Sequence, residues 1–517
     1  MNNSNLHPRD SKTVSLWQQQ PGLDQQQDVV YSGTIYDVVI VGAGIAGLTT
    51  ALLLQEQGKN CIILEGHNIG FGTTGATTAH LNTFLDTSYD QVAQDFGEDG
   101  ARTLANATKE SISLIQELVE RYQIDCDFTF KDGIIYSETE AETKSLLSLL
   151  EASRKAGVEA VEIRDNGIPV PFEFAVVFND QAEFHPMKYC MGLAAAFQKL
   201  GGTIVENAFV RKTTTSDALQ VAHTDRFEIK GHNLVYTTHM PPGLTVFDVE
   251  CFPYRSYVLG IKLTNGDYPK NMAYDMKDPY HYIRTHTIDG QPYLILGGED
   301  HKTGHDDPEA AFQALEEYAR KYWYVDSIDY RWSAQYYVPA DGLPFIGKMP
   351  GFDDHTFVAT GFSGNGMILG TITGKVLRDA ILGKEDEYQK LFSPSRIKPV
   401  AGFKDFVAEN ADVAYHFVAD RLGTEDMESF AELAPDSGEV VEYKGQKIAV
   451  YKDPQGQITA LSPTCTHAGC IVKFNPVEKS WDCPCHGGRY DLKGQVITGP
   501  PVSVSYTHLT LPTICSV

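Results

Sequence analysis

Four side chains near the C-terminal end are spaced for metal chemistry. Cys465-Thr466-His467 and Cys483-Pro484-Cys485-His486 give a C-x-H and a C-x-x-H pair separated by fifteen residues. Two thiolates suit one buried ferric iron and two imidazoles suit a second. Replacing two of four thiolates by imidazoles leaves less negative charge on a cluster and raises its potential. A zinc site could use the same ligand types, but its finger pattern pairs cysteine with cysteine and histidine with histidine. The spacing therefore points to a [2Fe-2S] cluster held by Cys465, His467, Cys483 and His486.

A second constellation stands near the N-terminal end. Val38-Val39-Ile40-Val41 leads into Gly42-Ala43-Gly44-Ile45-Ala46-Gly47, a helical stretch follows to Leu54, and Cys61-Ile62-Ile63-Leu64 ends on Glu65. This is the order strand, glycine loop, helix, strand, acid. Gly42 permits the tight turn, Gly44 lets backbone approach a pyrophosphate, and Gly47 lets helix and strand pack closely. The helix N-terminus adds amides and partial positive charge. Glu65, eighteen residues beyond Gly47, stands where an acceptor for ribose hydroxyls belongs. The fingerprint serves NAD and FAD alike. A further run of small and hydroxyl residues, with Gly72, Thr73, Thr74, Gly75, Thr77 and Thr78, can approach a diphosphate and ring system while offering hydrogen bonds.

With that second run, the chain over roughly residues 34–390 resembles the D-amino-acid oxidase-like family of FAD-dependent oxidoreductases, which includes glycine and sarcosine oxidases. Gly361, Phe362, Gly364, Asn365, Gly366 and Met367 resemble the family's C-terminal flavin motif, and Asp341-Gly342-Leu343-Pro344-Phe345-Ile346-Gly347 matches the stretch before it. The resemblance implies FAD, in an α/β (α+β) Rossmann-type domain with an interleaved antiparallel substrate sheet. His80 could touch the flavin, but its surroundings do not match the covalent-histidine context of dimethylglycine dehydrogenases, so non-covalent FAD is expected. In Tyr280-His281-Tyr282-Ile283-Arg284, alternation puts Tyr282 and Arg284 on one strand face, and the resemblance implies that this strand lines the substrate cavity. Arg284 could grip a carboxylate bidentately or form a structural salt bridge. Arg255, in Tyr254-Arg255-Ser256-Tyr257, is a second candidate.

The C-terminal ligand pattern is that of a Rieske centre, and Cys470 and Cys485 resemble the respiratory-complex type, which implies a disulfide between them. Thr498-Gly499-Pro500-Pro501 resembles the proline loop that covers such a cluster, and Tyr490 matches the tyrosine that bonds a ligand sulfur. Gly488 departs from the pattern, since high-potential members carry serine there; one hydrogen bond fewer to the cluster should lower its potential.

These sites need elements to hold them. The 517 residues allow roughly three domains. A hydrophobic fraction of 42% with 21% charged residues is globular composition. A formal charge of −26 and a pI near 5.0 disfavour nucleic acid and anionic lipid as partners. Residues 1–33 read as a flexible polar leader and 34–392 as the oxidoreductase. Within it, 36–150 are expected as βαβ units and about 175–347 as a more antiparallel sheet. Residues 393–428 read as a proline-bearing link and an amphipathic helix, a connector rather than a membrane-surface helix because its polar face is acidic. Residues 429–504 read as a small all-β domain. Residues 505–517 resemble translated cloning-adapter sequence, so a closing strand is expected to be lost. The leader has no signal-peptide pattern, which points to the cytoplasm, and the apolar stretch 36–54 is interrupted by glycines and reads as strand, turn and helix rather than a transmembrane segment.

The resulting expectation is a dehydrogenase that oxidises a small amine, amino acid or hydroxy acid and passes electrons from reduced FAD to the cluster and an external acceptor. The alternatives are an O₂-using oxidase with a structural or regulatory cluster domain, and a non-enzymatic electron carrier or redox sensor.

Overall fold

The computed structural model describes residues 9, 12–18, 33–396, 403–419, 430, 432–443 and 445–504. The aliphatic run at 38–41 is buried on both faces, as a parallel strand requires, and forms β1 (Ile35–Val41). α1 (Ile45–Glu56) follows, and β2 (Cys61–Leu64) returns parallel to β1, with Val38 opposite Cys61 and Val41 opposite Leu64. On its other side β1 pairs in parallel with Glu228–Tyr236, which pairs in parallel with Thr356–Thr360. α1 is apolar nearly all round because it is covered by Gly366–Ile381 and Pro186–Lys199 as well as by the sheet.

The expected βαβ pattern for 36–150 holds for β1, α1 and β2 but not beyond. The strand Thr129–Ser137 joins a second, nine-stranded sheet, antiparallel to Phe174–Glu183 and parallel to Met272–Asp275. Its Ile134 and Tyr136 enter one core and Ile135 another. A strand apolar on both faces carries no periodic signal for the sheet it joins. The rest of that sheet is the expected antiparallel one, with Cys251–Leu263 between Gln291–Lys302 and Val325–Pro339, and Tyr282–Ile288 beyond.

The small C-terminal domain is all β. Ser437–Tyr443, Gln446–Lys452 and Ile458–Leu461 form one antiparallel sheet. Lys473–Asn475, Ser480–Asp482, Arg489–Tyr490 and Val496–Thr498 form another. The two cluster-ligand pairs lie in the loops before and within this second sheet. The suspected tail, 505–517, residues 397–402 and 420–428 of the link, and residues 1–8, 10–11 and 19–32 of the leader lie outside the described residues.

The connector helix, Phe403–Ala419, docks on the oxidoreductase through its polar side. Tyr254 donates to Glu409 at 2.9 Å, Lys302 meets Asp412 at 2.6 Å, and Asn410 donates to the Val249 carbonyl at 3.0 Å. Tyr415 on the same helix stays 65% exposed. Among the described residues no helix is long and apolar enough to cross a membrane.

The leader differs from expectation. Arg9, Ser15, Leu16 and Trp17 are fully buried; Arg9 donates to the Ser333 carbonyl at 2.9 Å, while Ser15 and Trp17 serve carbonyls of the loop at 75–79 that must be satisfied away from water. Ser15 Oγ donates to the Gly75 carbonyl at 2.5 Å and Trp17 Nε1 to the Thr77 carbonyl at 2.5 Å. Trp17 also packs with Ala76, Met187 and Trp332. Truncating a buried tryptophan costs about 3–5 kcal/mol, so Trp17→Ala should lower the unfolding free energy of the purified protein by about that amount, read as a lower urea midpoint, and reduce its bound-flavin content. An unchanged midpoint and flavin content would mean that the leader does not brace the loop.

Candidate functional site

The glycine loop adopts the geometry its spacing implies. Gly42 has φ +107°, and a Cβ there would stand 2.7 Å from the Thr237 carbonyl oxygen. A Cβ on Gly47 would stand 2.0 Å from the Gly42 oxygen, so the first turn of α1 closes over the loop only with glycine. Glu65 accepts from the backbone of Ala43 at 2.7 Å and of His67 at 2.9 Å. Burial raises its pKa to about 6 against those hydrogen bonds.

A cavity of about 270 Å³ begins at this loop. Gly42, Gly44, Ile45, Ala46 and Glu65 line it, then Gly72, Thr73, Thr74, Thr77 and Thr78, then Phe362, Gly364, Asn365, Gly366 and Met367. The three stretches singled out in the sequence therefore converge. Ala43, Gly47, Gly75 and Gly361 stand behind the wall rather than in it. Thr74 Oγ1 accepts from the Ile45 amide at 3.3 Å and ties the first two loops together. A Cβ added at Gly72 or Gly366 would meet nothing within 4 Å, so the room a side chain would take belongs to the cavity. An extended cavity that starts at a helix N-terminus and is walled by glycines and threonines fits a dinucleotide.

Beyond the loops the cavity is lined by His80, Asn82, Ser256, Tyr274, Tyr280, Tyr282, Asp300 and Tyr336. Asp300 accepts from Ser256 Oγ and, at 2.7 Å, from the Tyr336 hydroxyl; Ser256 Oγ also lies 2.6 Å from the Tyr282 hydroxyl. Burial raises the Asp300 pKa to about 7, opposed by those two donors and assisted by Asp86 and Glu299. His80 Nδ1 bonds the Tyr274 hydroxyl, while burial and Arg284 hold its imidazole well below its ordinary pKa. Of these residues the sequence pointed to Tyr282 and, as a flavin contact, His80. Asp300 and Ser256 are brought there by strand pairing, since Gln291–Lys302 lies between the strands of Ser256 and Tyr282.

Arg284 and Arg255 do not line the cavity, and Arg284 takes the second of the two roles its sequence left open, a salt bridge. Arg284 is fully buried, pairs with Glu183 at 3.1 Å, and donates to the carbonyls of Thr78 at 2.8 Å and Ala79 at 2.9 Å. It braces the threonine loop from behind. Arg255 lies on the opposite strand face from Ser256 and meets Glu478 of the small domain at 3.3 Å, with Arg9 on the same carboxylate at 4.0 Å. Period-two alternation turns Ser256 to the cavity and Arg255 to the domain boundary.

In the small domain Cys465 and Cys483 are free and buried, and their thiols are close enough to hydrogen-bond. The rings of His467 and His486 stand 5.0 Å apart. Both Nδ1 atoms are buried without a hydrogen-bond partner among the described residues. Two orphaned ring nitrogens and two free thiols on the same pair of loops fit a [2Fe-2S] cluster. Cys470 and Cys485 form the disulfide that the resemblance implied. Tyr490 lies 3.2 Å from Cys465 Sγ. The departure at Gly488 has a steric counterpart, since a Cβ there would stand 2.6 Å from Pro501 Cγ in the proline loop.

One wall joins the two sites. The Gln335 carbonyl accepts from Thr73 Oγ1 in the dinucleotide cavity at 2.6 Å, and its side-chain nitrogen donates to the Gly487 carbonyl, beside His486, at 2.9 Å. Tyr337 donates to the His486 carbonyl at 3.2 Å. Gly487 has φ +67°, and a Cβ there would stand 2.7 Å from both Pro253 and Gln335, so contact this close needs glycine. His467 Nε2 lies 3.3 Å from the Gly243 carbonyl and 3.4 Å from Asp248. The Gly243 amide donates to the Pro500 carbonyl at 3.0 Å. From the small domain, Ile497, Thr498 and Gly499 reach the cavity itself.

The Asp300 environment predicts a pH effect on stability. Its folded pKa, about 7, lies above the ordinary 3.8, so between those values the folded state holds a proton that the unfolded state has released. Stability from this group is therefore complete at low pH and lost as pH rises towards 7. The melting temperature of Asp300→Asn minus that of wild type should be smallest near pH 4, rise to pH 7 and then level off. A difference flat with pH would show that Asp300 titrates normally.

A family model described as FAD dependent oxidoreductase matches residues 37–380, and one described as Rieske [2Fe-2S] domain matches residues 426–511. A Bacillus subtilis chain named as a Rieske 2Fe-2S iron-sulfur protein, YhfW, is 33% identical over 469 residues, covering 90% of this chain and 92% of its own. Gamma-glutamylputrescine oxidoreductase of Escherichia coli is 24% identical over 77% of this chain and 95% of its own. The structure of glycine oxidase from Geobacillus kaustophilus superposes with a TM-score of 0.59 at 19% identity, covering 70% of this chain and 99% of that one, and so shares the fold. With an FAD cavity and a [2Fe-2S] ligand set both in place, the chain belongs to the FAD-dependent oxidoreductase family and carries a C-terminal Rieske domain.

Proposed function

We propose that this enzyme is a dehydrogenase: a small amine, amino acid or hydroxy acid is oxidised at the FAD, and the electrons pass through the Rieske cluster to an external acceptor. The observation that carries this is the shared wall, in which Gln335 bonds Thr73 of the flavin cavity and Gly487 of the cluster loop. When bound, FAD supplies a hydride acceptor able to give up its electrons singly, and the cluster takes one electron at a time. The chain's own residues do the rest. Gly42, Gly44 and the threonines 73, 74, 77 and 78 hold the dinucleotide, while Cys465, His467, Cys483 and His486 hold the cluster. Tyr282, Ser256, Tyr336 and Asp300 orient the substrate.

The orientation of the small domain supports electron exchange between the two sites. Its two histidine ligands, His467 and His486, are buried against the flavin domain rather than presented to solvent. A cluster placed so is an internal partner of the flavin. The names of the relatives, glycine oxidase and gamma-glutamylputrescine oxidoreductase, support a small nitrogen-bearing substrate.

In an anaerobic titration with a substrate that bleaches the flavin, the EPR signal of the reduced cluster should grow with the bleaching. Gln335→Leu should slow the cluster signal and leave the rate of flavin bleaching unchanged. A cluster that stays oxidised while the flavin is fully reduced would reject the proposal in favour of an oxidase with a structural cluster domain.

A further inference from the structure

We infer that the substrate is an alkylammonium cation whose nitrogen seats on Asp300 within a wall of tyrosine rings. This rests on the oxidoreductase proposal and narrows its substrate class. No lysine or arginine among the described residues lines the cavity. The arginines within two residues of its lining residues are held elsewhere, Arg284 by Glu183, Arg255 by Glu478 and Arg211 by Asp225. A substrate carboxylate entering there would meet the Asp300 carboxylate with no cation between them, a like-charge contact in a water-poor site.

Asp300 itself has no cationic partner among the described residues. It accepts from two neutral donors, Ser256 Oγ and Tyr336, and the charged groups that act on it, Asp86 and Glu299, are both acids. An ionised carboxylate has about four acceptor positions, so capacity remains for an N–H donor. Tyr280, Tyr282 and Tyr336 surround the same part of the cavity, and the rings of Tyr280 and Tyr282 stand 5.8 Å apart. Aromatic faces beside an acid are the chemistry that binds ammonium groups. His80 supplies a further polar contact: it lines the cavity, and its Nε2 is buried with no hydrogen-bond partner among the described residues.

The same contact prepares the chemistry. A primary alkylammonium gives one N–H proton to an Asp300 oxygen, which frees the nitrogen lone pair. The α-carbon hydrogen leaves with both C–H electrons as hydride to FAD, and the lone pair closes the C=N bond. The product is an iminium cation, which water converts to an aldehyde and ammonium. Two electrons leave the substrate and two arrive on the flavin, and Asp300 releases its proton to solvent.

The test is equilibrium binding to the anaerobic holo-protein at pH 8, read by calorimetry and by perturbation of the bound-flavin spectrum, with tert-butylamine, which has no α-hydrogen to transfer, butyrate and glycine as probes. The tert-butylammonium ion should bind at least about tenfold more tightly than butyrate or glycine, a difference of about 1.4 kcal/mol. Asp300→Asn should lose about tenfold or more for tert-butylammonium without weakening butyrate. Butyrate or glycine binding as tightly as tert-butylammonium to wild type, or none of the three binding at millimolar concentration, would overturn the inference, and the wild-type comparison stands even where Asp300→Asn does not fold. Because binding is read without the cluster, a cation preference combined with a cluster that stays oxidised would reject only the proposed route of electron flow.

Discussion

Irregular backbone buried away from water must find a partner for every carbonyl, since each orphan costs about 1–3 kcal/mol, and the loop at 75–79 shows what this demands. Ser15 takes the Gly75 carbonyl, Trp332 that of Ala76, Trp17 that of Thr77, and Arg284 those of Thr78 and Ala79. Every donor is a buried side chain approaching from behind. With the carbonyls engaged on that side, the threonines and the small residues on the other side remain for the cofactor. This one requirement explains a docked leader, a buried arginine that touches no substrate, and a tryptophan far away in sequence.

The cluster loops obey the same rule at the domain boundary. The His486 and Gly487 carbonyls are taken by Tyr337 and Gln335, and the Pro500 carbonyl by the Gly243 amide. Arg9 and Arg255 meet the buried Glu478 at this boundary. Removing one partner of such a network costs about 3–5 kcal/mol because a buried charge is left alone, so the network holds the small domain in one orientation. That orientation presents the histidine side of the cluster site to the flavin domain. Flavin cavity and cluster loops thus share side chains, and their relative placement is fixed by the satisfaction of backbone groups and buried charge.

Much of this could be read from the residues because cofactor sites are encoded locally. The cluster ligands sit at fixed offsets in two short loops, and Gly42, Gly44 and Gly47 repeat a spacing imposed by one turn and one helix start. The roles of Arg255 and Arg284 could not be read, since alternation gives a face but not what lies across it. Their partners are Glu478 and Glu183, more than a hundred residues away in each case. Trp17 lies in a Gln-rich segment with no periodicity, and its partner Thr77 is 60 residues on. Asp300 stands beside another acid in Gly297-Gly298-Glu299-Asp300, with no motif around it. Only the pairing of its strand with those of Tyr282 and Ser256 puts it in the cavity. Local motifs name the cofactors; tertiary pairing decides which side chains meet a substrate.

The central claim, that flavin and cluster form one electron-transfer unit within a single chain, is tested most directly by pulse radiolysis of the oxidised holo-protein with an electron donor that reduces the flavin first. The account predicts that flavin absorbance then recovers as cluster absorbance bleaches, in a single first-order phase whose rate is independent of protein concentration. A rate that rises in proportion to protein concentration, or a reduced flavin that never passes its electron to the cluster, would contradict it.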